Sequence, residues 1–297
     1  MTHAISDGAD APRAIIALDL LRFVSALLVV AFHFGSAFAR APSLAARTML
    51  RGLPVSDRLT GWTWFGWVGV EIFFVISGFV IALSAQRGGI ALFARRRALR
   101  LLPGAWICAT LTLLVLIAAT PQPGLIGQWV VSVAFWPHRF WIDPSYWTLG
   151  IELFFYALVA TGLRRDGTDN GRAIERRGLL MGAWCTAFWL FALLAGWAAT
   201  PPVDYRPAQL MLLPHGCFFA LGILAWTMLR CGVTTGRVLL FALFFLTALV
   251  EIAGRTVERT QALGIVAGPL IPILVFTAAL AIILSSLRLQ PMLAARL

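Results

Sequence analysis

Three ionisable residues, Asp19, Arg22 and His33, lie inside the apolar stretch LDLLRFVSALLVVAFHF at positions 18–34. Charged or titratable side chains at membrane depth are costly and are usually functional. On a helix, the residues from 22 to 33 make about three turns and rise about 16 Å, so Arg22 and His33 share one face. The stretch therefore predicts a membrane helix that carries a cation and an imidazole in one stripe.

Two acidic residues lie near the start of later apolar segments. Glu71 follows Gly69-Val70, and Glu152 follows Trp147-Thr148-Leu149. Because the second and fourth spans would run antiparallel to the first, both carboxylates are expected at the depth of His33. Two carboxylates and an imidazole at one depth are suited to general acid–base chemistry.

The composition indicates an integral membrane protein that is all-α. Of 297 residues, 60% are hydrophobic and 12% are charged, and the mean hydropathy is +0.85. Helices are favoured in lipid because they satisfy their own backbone. We assign eight spans of about 20 residues, with ten as the upper bound, in one polytopic domain over residues 1–297. They lie at roughly 15–38, 64–84, 102–120, 146–163, 178–199, 209–229, 237–253 and 262–285.

The charge distribution predicts the orientation. Segment 125–136 is too short for a confident span, and residues 1–14 form a short N-terminal segment without a cleavable signal. With the N-terminus inside, the Arg-rich stretches 95–100 and 164–177 also lie inside, as the positive-inside rule favours. The loops with Arg206, Arg255 and Arg259 then lie outside. We read the net charge of +11 as topological and expect no nucleic-acid partner.

Four blocks follow one another over residues 18–156. The first is Leu18-Asp19 with Arg22 and His33. The others are Gly69-Val70-Glu71 through Ser77-Gly78-Phe79, then Arg95-Arg96-Arg97 with Arg100 and Pro103, and Trp147-Thr148-Leu149 with Glu152, Phe155 and Tyr156. In this order they resemble the acyltransferase-3 family of bacterial membrane acyltransferases. Beyond residue 160 the resemblance is architectural. Family members usually continue into a segment with a Gly, a Ser-Tyr pair and a terminal His, so we expect this chain to lack the usual C-terminal end.

The resemblance implies transfer of an acyl group, most simply acetyl, from cytoplasmic acyl-coenzyme A to a hydroxyl at the outer face of the bacterial inner membrane. The acceptor would be a carbohydrate, a glycolipid or a secreted metabolite, and no metal is expected. Residues at the catalytic centre would be His33, Glu152 and Glu71. Those for donor phosphates would be Arg22, Arg95, Arg96 and Arg100, with Asp19, Ser77, Trp147 and Tyr156 in supporting roles.

Each of these residues also has a structural interpretation. His33 is a general base or a transient acyl carrier, or else a buried hydrogen-bonded histidine. Glu152 and Glu71 orient His33 or bind the acceptor, or else join helices. Arg22 binds the donor or pairs with Asp19.

The remaining polar and aromatic residues are assigned mainly to packing. Ser77 and Gly78 favour close helix approach, and Trp64, Trp67 and Trp147 favour an interfacial belt. The same packing role is expected of the four cysteines. His138 and His215 lie near outer loops and are expected to be incidental.

Two other classes of function remain open. A transporter or flippase would also need intramembrane charges, although the chain has no evident internal repeat. A non-catalytic membrane scaffold is the second alternative, but it would have no use for the Arg22 and His33 pair. The sequence does not identify the acceptor.

Overall fold

The computed structural model describes residues 11–37, 57–86, 88–119, 121–137, 140–164, 169–197 and 206–294, with side chains described between 17 and 286. All regular elements in these ranges are helical, which confirms the all-α polytopic bundle. The α-helices are α1 (Ala11–Phe32), α2 (Asp57–Thr63), α3 (Gly69–Ala85), α4 (Ile90–Ala119), α5 (Leu125–Val133), α6 (Trp147–Ala160), α7 (Gly171–Leu194), α8 (Arg206–Leu210), α9 (Gly216–Cys231), α10 (Thr235–Leu263) and α11 (Leu270–Ala294).

Five helical segments in the described part of the chain are long and apolar enough to cross a membrane. They are Ala17–Ala37, Asp57–Ala85, Ile90–Ala119, Gly171–Leu194 and Thr235–Leu263. The predicted spans 146–163, 209–229 and 262–285 overlap α6, α9 and α11. The shorter apolar helical segments are Gly216–Cys231 and Leu270–Ser286. Segment 125–136 contains only the nine residues of α5, in keeping with its being too short to span.

Helices α3 and α9 form the centre of the bundle, and glycines let them approach closely. A Cβ added at Gly78 would lie 2.2 Å from the carbonyl oxygen of Phe219, and one at Gly222 would lie 2.0 Å from that of Val75. The packing role predicted for Gly78 is therefore confirmed. Phe74 stacks on Phe219 with ring centroids 4.7 Å apart, so aromatic packing also joins α3 to α9.

Helix α1 packs on α3 in the same way. A Cβ at Gly66 would lie 2.2 Å from the carbonyl oxygen of Leu28, and one at Gly69 would lie 2.4 Å from that of Ser25. The two glycines thus remove the side chains that would hold α1 away. This close approach brings the face of α1 that carries Arg22 and His33 against α3.

Helix α6 begins at a capped turn that fixes the position of Trp147 and Glu152. The Asp143 side chain accepts a hydrogen bond from the backbone N–H of Ser145 at 2.8 Å, and Pro144 occupies the first position of the turn. Proline is favoured there because its φ is already helical and its missing N–H would have no partner. The Tyr146 hydroxyl donates to the carbonyl of Ala105 in α4, which ties the start of α6 to that helix.

Candidate functional site

Helices α1, α3, α4 and α6 enclose a cavity of about 490 Å³, here called the donor cavity after the role proposed for it below. Arg22 and His33 both line it, so it extends along about 16 Å of α1. The other polar and aromatic residues in its wall are Phe73, Phe74, Ser77, Arg97, Arg100, Ser145, Trp147, Thr148, Glu152 and Tyr156. The structure thus brings together most of the residues that the sequence selected from four separate blocks.

His33 lies at the start of a π-helical turn, His33–Ala37, that ends the first membrane helix. Such turns replace i→i+4 bonding by i→i+5 bonding and are frequent at functional sites. Nδ1 of His33 lies 2.7 Å from the carbonyl oxygen of Val29. A carbonyl oxygen only accepts, so Nδ1 carries the proton and, in the neutral ring, Nε2 does not. The imidazole therefore has the tautomer needed for proton abstraction or nucleophilic attack at Nε2.

Glu152 is held in the wall of the donor cavity by a residue one turn further along α6. The Tyr156 hydroxyl donates a hydrogen bond to the Glu152 carboxylate. The Tyr156 ring packs edge-on against Phe93 of α4, with centroids 6.4 Å apart. Tyr156 therefore joins the Glu152 carboxylate to α4, and its supporting role in catalysis stays a prediction.

The arginines of α4 differ in their positions relative to the donor cavity. Arg97 and Arg100 line the cavity, whereas Arg95 and Arg96 are exposed and are not part of its wall. Arg97 donates to the Ser84 hydroxyl at 2.6 Å. Its guanidinium lies 5.7 Å from the Phe93 ring centroid. Arg97 was not selected from the sequence, because Arg96 at i, i+4 and Arg97 at i, i+3 both share a helix face with Arg100 and spacing does not distinguish them.

Arg22 forms the ion pair that the sequence allowed, and it also lines the cavity in which donor binding was predicted. It pairs with Asp19 at 3.2 Å, and it also lines the donor cavity. Its side chain is 19% exposed and that of Asp19 is 61% exposed. Asp19 therefore lies at the exposed edge of the bundle, whereas Arg22 is also part of the cavity wall.

A second cavity of about 200 Å³ adjoins His33 and is here called the polar cavity. Its wall includes His33, Trp67, Glu71, Trp147, Arg255 and Arg259. Glu71 therefore shares a cavity with His33, but not the cavity that Glu152 lines. His33 and Trp147 line both cavities, as do Val29, Val70 and Ser145, so these residues form the boundary between the two spaces.

Glu71 belongs to a buried network that the sequence analysis did not anticipate. Nε of Arg255 lies 3.6 Å from Oε1 of Glu71. Nη2 of Arg255 lies 3.4 Å from Oε1 of Glu251 and 3.2 Å from Nε2 of His215. The other ring nitrogen of His215, Nδ1, lies 2.6 Å from Oε1 of Glu251. A guanidinium only donates, so Nε2 accepts from Arg255 and the neutral ring carries its proton on Nδ1.

The structure places several of these residues differently from the sequence assignments. His215 is fully buried and bonded to Arg255, so it belongs to the core of the bundle. Arg255 and Arg259 lie within α10, which continues to Leu263, and not in an outer loop. The helix tolerates these charges because Glu71 and Glu251 compensate Arg255 inside the bundle. Arg206, also assigned to a loop, begins α8, is buried and donates to the carbonyl oxygen of Pro137 at 2.8 Å.

The ligand atoms of Glu71, His215 and Glu251 lie within 4.8 Å of one another, a spacing that a metal ion could use. However, Arg255 already contacts all three residues. A guanidinium supplies the positive charge and the directed donors that the carboxylates and the imidazole require. These residues therefore fit an ion-pair network and not a metal centre.

Of the other residues selected from the sequence, some lie where they were expected and some do not. Ser77 lines the donor cavity. The interfacial-belt assignment is wrong for Trp64 and Trp67, because each is only 4% exposed and packs in the core. Trp147 packs against His215 with ring centroids 5.8 Å apart. Cys185 and Cys217 are buried, Cys108 and Cys231 are exposed, and His138 lies outside the described residues.

Comparison with known families agrees with this arrangement. Residues 15–297 match the family model described as an acyltransferase domain. Comparisons with curated proteins and with solved structures found no match. Because the family match extends over nearly the whole chain, including the part beyond residue 160 where the sequence resemblance was only architectural, this multi-pass membrane protein belongs to the acyltransferase-3 family.

Proposed function

We propose that this membrane acyltransferase moves an acyl group, most simply acetyl, from acyl-coenzyme A to a hydroxyl of a carbohydrate or related acceptor. The observation that carries the proposal is the donor cavity, in which Arg22, Arg97 and Arg100 share a wall with His33. Guanidinium groups suit phosphates because they donate paired hydrogen bonds. The axial separation of about 16 Å between Arg22 and His33 suits a donor with phosphates at one end and a thioester at the other.

His33 is the proposed general base. Nε2 takes the proton of the acceptor hydroxyl while the hydroxyl oxygen attacks the thioester carbonyl. The new C–O bond replaces the C–S bond, and the proton then passes to the departing thiolate of coenzyme A. Glu152, held by Tyr156, orients the imidazole or the acceptor.

The proposed setting is the bacterial inner membrane with the N-terminus in the cytoplasm. In that orientation Arg22 lies toward the cytoplasm, where acyl-coenzyme A is made, and His33 lies toward the outer face. The supporting observation is the Arg-rich sequence near residues 95–100 and 164–177, which favours the inner side. The acceptor would then be modified at or beyond the outer face.

The test uses protein in phospholipid nanodiscs with radiolabelled acetyl-coenzyme A. We expect release of coenzyme A and transfer of label to envelope saccharides from the source bacterium. His33→Ala should abolish both, whereas Phe34→Leu at the exposed neighbour should change neither by more than about twofold. Normal transfer by well-folded His33→Ala protein would contradict the assignment. Label retained on His33 after acid quenching would indicate an acyl carrier instead of a base.

A further inference from the structure

The polar cavity contains three buried side-chain atoms that have no hydrogen-bond partner within the described part of the chain. They are Nε1 of Trp67, Oε2 of Glu71 and Nε of Arg259, and all three residues line the cavity. A buried polar atom left without a partner costs about 1–3 kcal/mol, so such groups are rare in native proteins. Three of them around one cavity indicate a site whose polar partners come from a ligand.

The chemistry of these atoms indicates hydroxyl groups. The indole and guanidinium N–H groups only donate, whereas an ionised carboxylate only accepts. A hydroxyl does both, so a ligand with several hydroxyls could satisfy all three atoms. The indole rings of Trp67 and Trp147 provide apolar surface for the C–H faces of such a ligand.

The charge balance of the site indicates a neutral ligand. The charged residues in the wall include Glu71, Arg255 and Arg259. Glu251 does not line the cavity but pairs with Arg255 at 3.4 Å, so two carboxylates match two guanidinium groups. No unmatched charge of either sign among these four residues would favour an anion or a cation. His215, in contact with Arg255 and Glu251, adds no charge in its neutral tautomer.

The size of the cavity limits the ligand further. At about 200 Å³, it is smaller than the roughly 300–1,000 Å³ of sites that enclose drug-sized molecules. One pyranose ring or a polyol of similar size is therefore the appropriate scale. Because His33 separates this cavity from the donor cavity, a hydroxyl of the ligand would face the imidazole from the side opposite the thioester arm.

We infer that the polar cavity is the acceptor site, which binds a neutral polyhydroxylated ring through Trp67, Glu71 and Arg259 and presents one hydroxyl to His33. This inference rests on the proposed acyl transfer and adds where the acceptor binds, its charge and its size. Trp67 and Arg259 act as binding residues and Glu71 as a hydrogen-bond acceptor. Arg255 is a positioning residue that acts through Glu71.

The experiment measures release of coenzyme A from acetyl-coenzyme A by protein in phospholipid nanodiscs, since glycoside detergents would compete for the site. The probes are methyl β-D-glucopyranoside, methyl β-D-galactopyranoside and methyl α-D-mannopyranoside, with glucuronate and glucosamine as charged counterparts. We expect saturable stimulation by a neutral glycoside, weaker stimulation by the charged compounds, and an acetylated glycoside detected by mass spectrometry.

Variants connect the effect to the cavity. Trp67→Phe retains an aromatic ring but removes the N–H, and Arg259→Gln removes the guanidinium. Each should raise the half-saturating glycoside concentration by about 5- to 150-fold, as expected for one lost buried hydrogen bond, and by a larger factor than that for acetyl-coenzyme A. Trp64→Phe is the matched control, because Trp64 is equally buried but lines neither cavity. It should change the glycoside constant by less than about twofold.

The outcomes separate this inference from the proposed function. If wild-type protein releases coenzyme A in a His33-dependent manner but acetylates no neutral glycoside, the acceptor site is refuted and acyl transfer stands. Equal effects of Trp64→Phe and Trp67→Phe, or a preference for a charged compound, also refute it. If no His33-dependent release occurs, the proposed function itself fails.

Discussion

Substitution of Arg97 by Gln tests the donor side of the site most directly. The Arg97 guanidinium is held by the Ser84 hydroxyl at 2.6 Å and lies over the Phe93 ring. These contacts hold it in the wall of the donor cavity. Arg96 is adjacent in the chain but lies about 100° around the helix, is exposed and does not line the cavity. Arg96→Gln is therefore the matched control, because it removes the same guanidinium group outside the cavity.

The expected size of the effect follows from these positions. A hydrogen bond to a charged group contributes about 1.5–3 kcal/mol, and about 1.4 kcal/mol is a factor of ten in affinity. Loss of one such bond to a donor phosphate should raise the half-saturating concentration of acetyl-coenzyme A by about 10- to 150-fold. An exposed substitution away from the site stays within about 0.5 kcal/mol, so Arg96→Gln should change this constant by no more than about twofold.

The assay records release of coenzyme A against acetyl-coenzyme A concentration, with and without adenosine 3′,5′-bisphosphate as a competitor. Arg97→Gln should weaken inhibition by this nucleotide by about the same factor as it weakens donor use, because both lose the same phosphate contact. Size-exclusion chromatography verifies that each variant is folded. The reasoning is refuted if Arg96→Gln has as large an effect as Arg97→Gln. It is also refuted if Arg97→Gln lowers only the maximal rate.

Three further predictions concern donor binding, packing and topology. Arg22→Lys should raise the Michaelis constant for the donor more than that for the acceptor, since an ammonium cannot reproduce the paired donors of a guanidinium; an effect on the acceptor alone would contradict this role. Gly222→Ala should lower the free energy of unfolding in detergent by about 1–3 kcal/mol, because its Cβ would lie 2.0 Å from a main-chain oxygen of α3. Gly236→Ala is the control, since a Cβ there meets open space and should not destabilise the protein. Cysteine labels within 164–177 should react only from the cytoplasm and labels near Asp204, outside the described residues, only from the other side; external labelling of the Arg-rich loop would reverse the proposed topology.

The sequence by itself determined the helical membrane architecture and the stripe on α1. Both depend on local properties: an apolar run in lipid must be helical, and helical geometry alone puts Arg22 and His33 on one face. The role of Gly78 in close packing could also be predicted, because small residues between apolar ones favour close helix contact. Antiparallel spans predicted that Glu152 and His33 share one depth; both line the donor cavity, where Glu152 is bonded to Tyr156.

Only the tertiary structure decided which charged residues meet. Arg95, Arg96 and Arg97 are equivalent by type and spacing, and the rotation of α4 against α3 and α6 determines that Arg97 and Arg100 reach the cavity while the other two do not. The seventh predicted span stops at residue 253, which put Arg255 and Arg259 in a loop. In the structure α10 continues to Leu263 and includes both residues. The compensating partner Glu71 lies far away in the chain, and its contribution depends on distances between helices that no local sequence pattern contains.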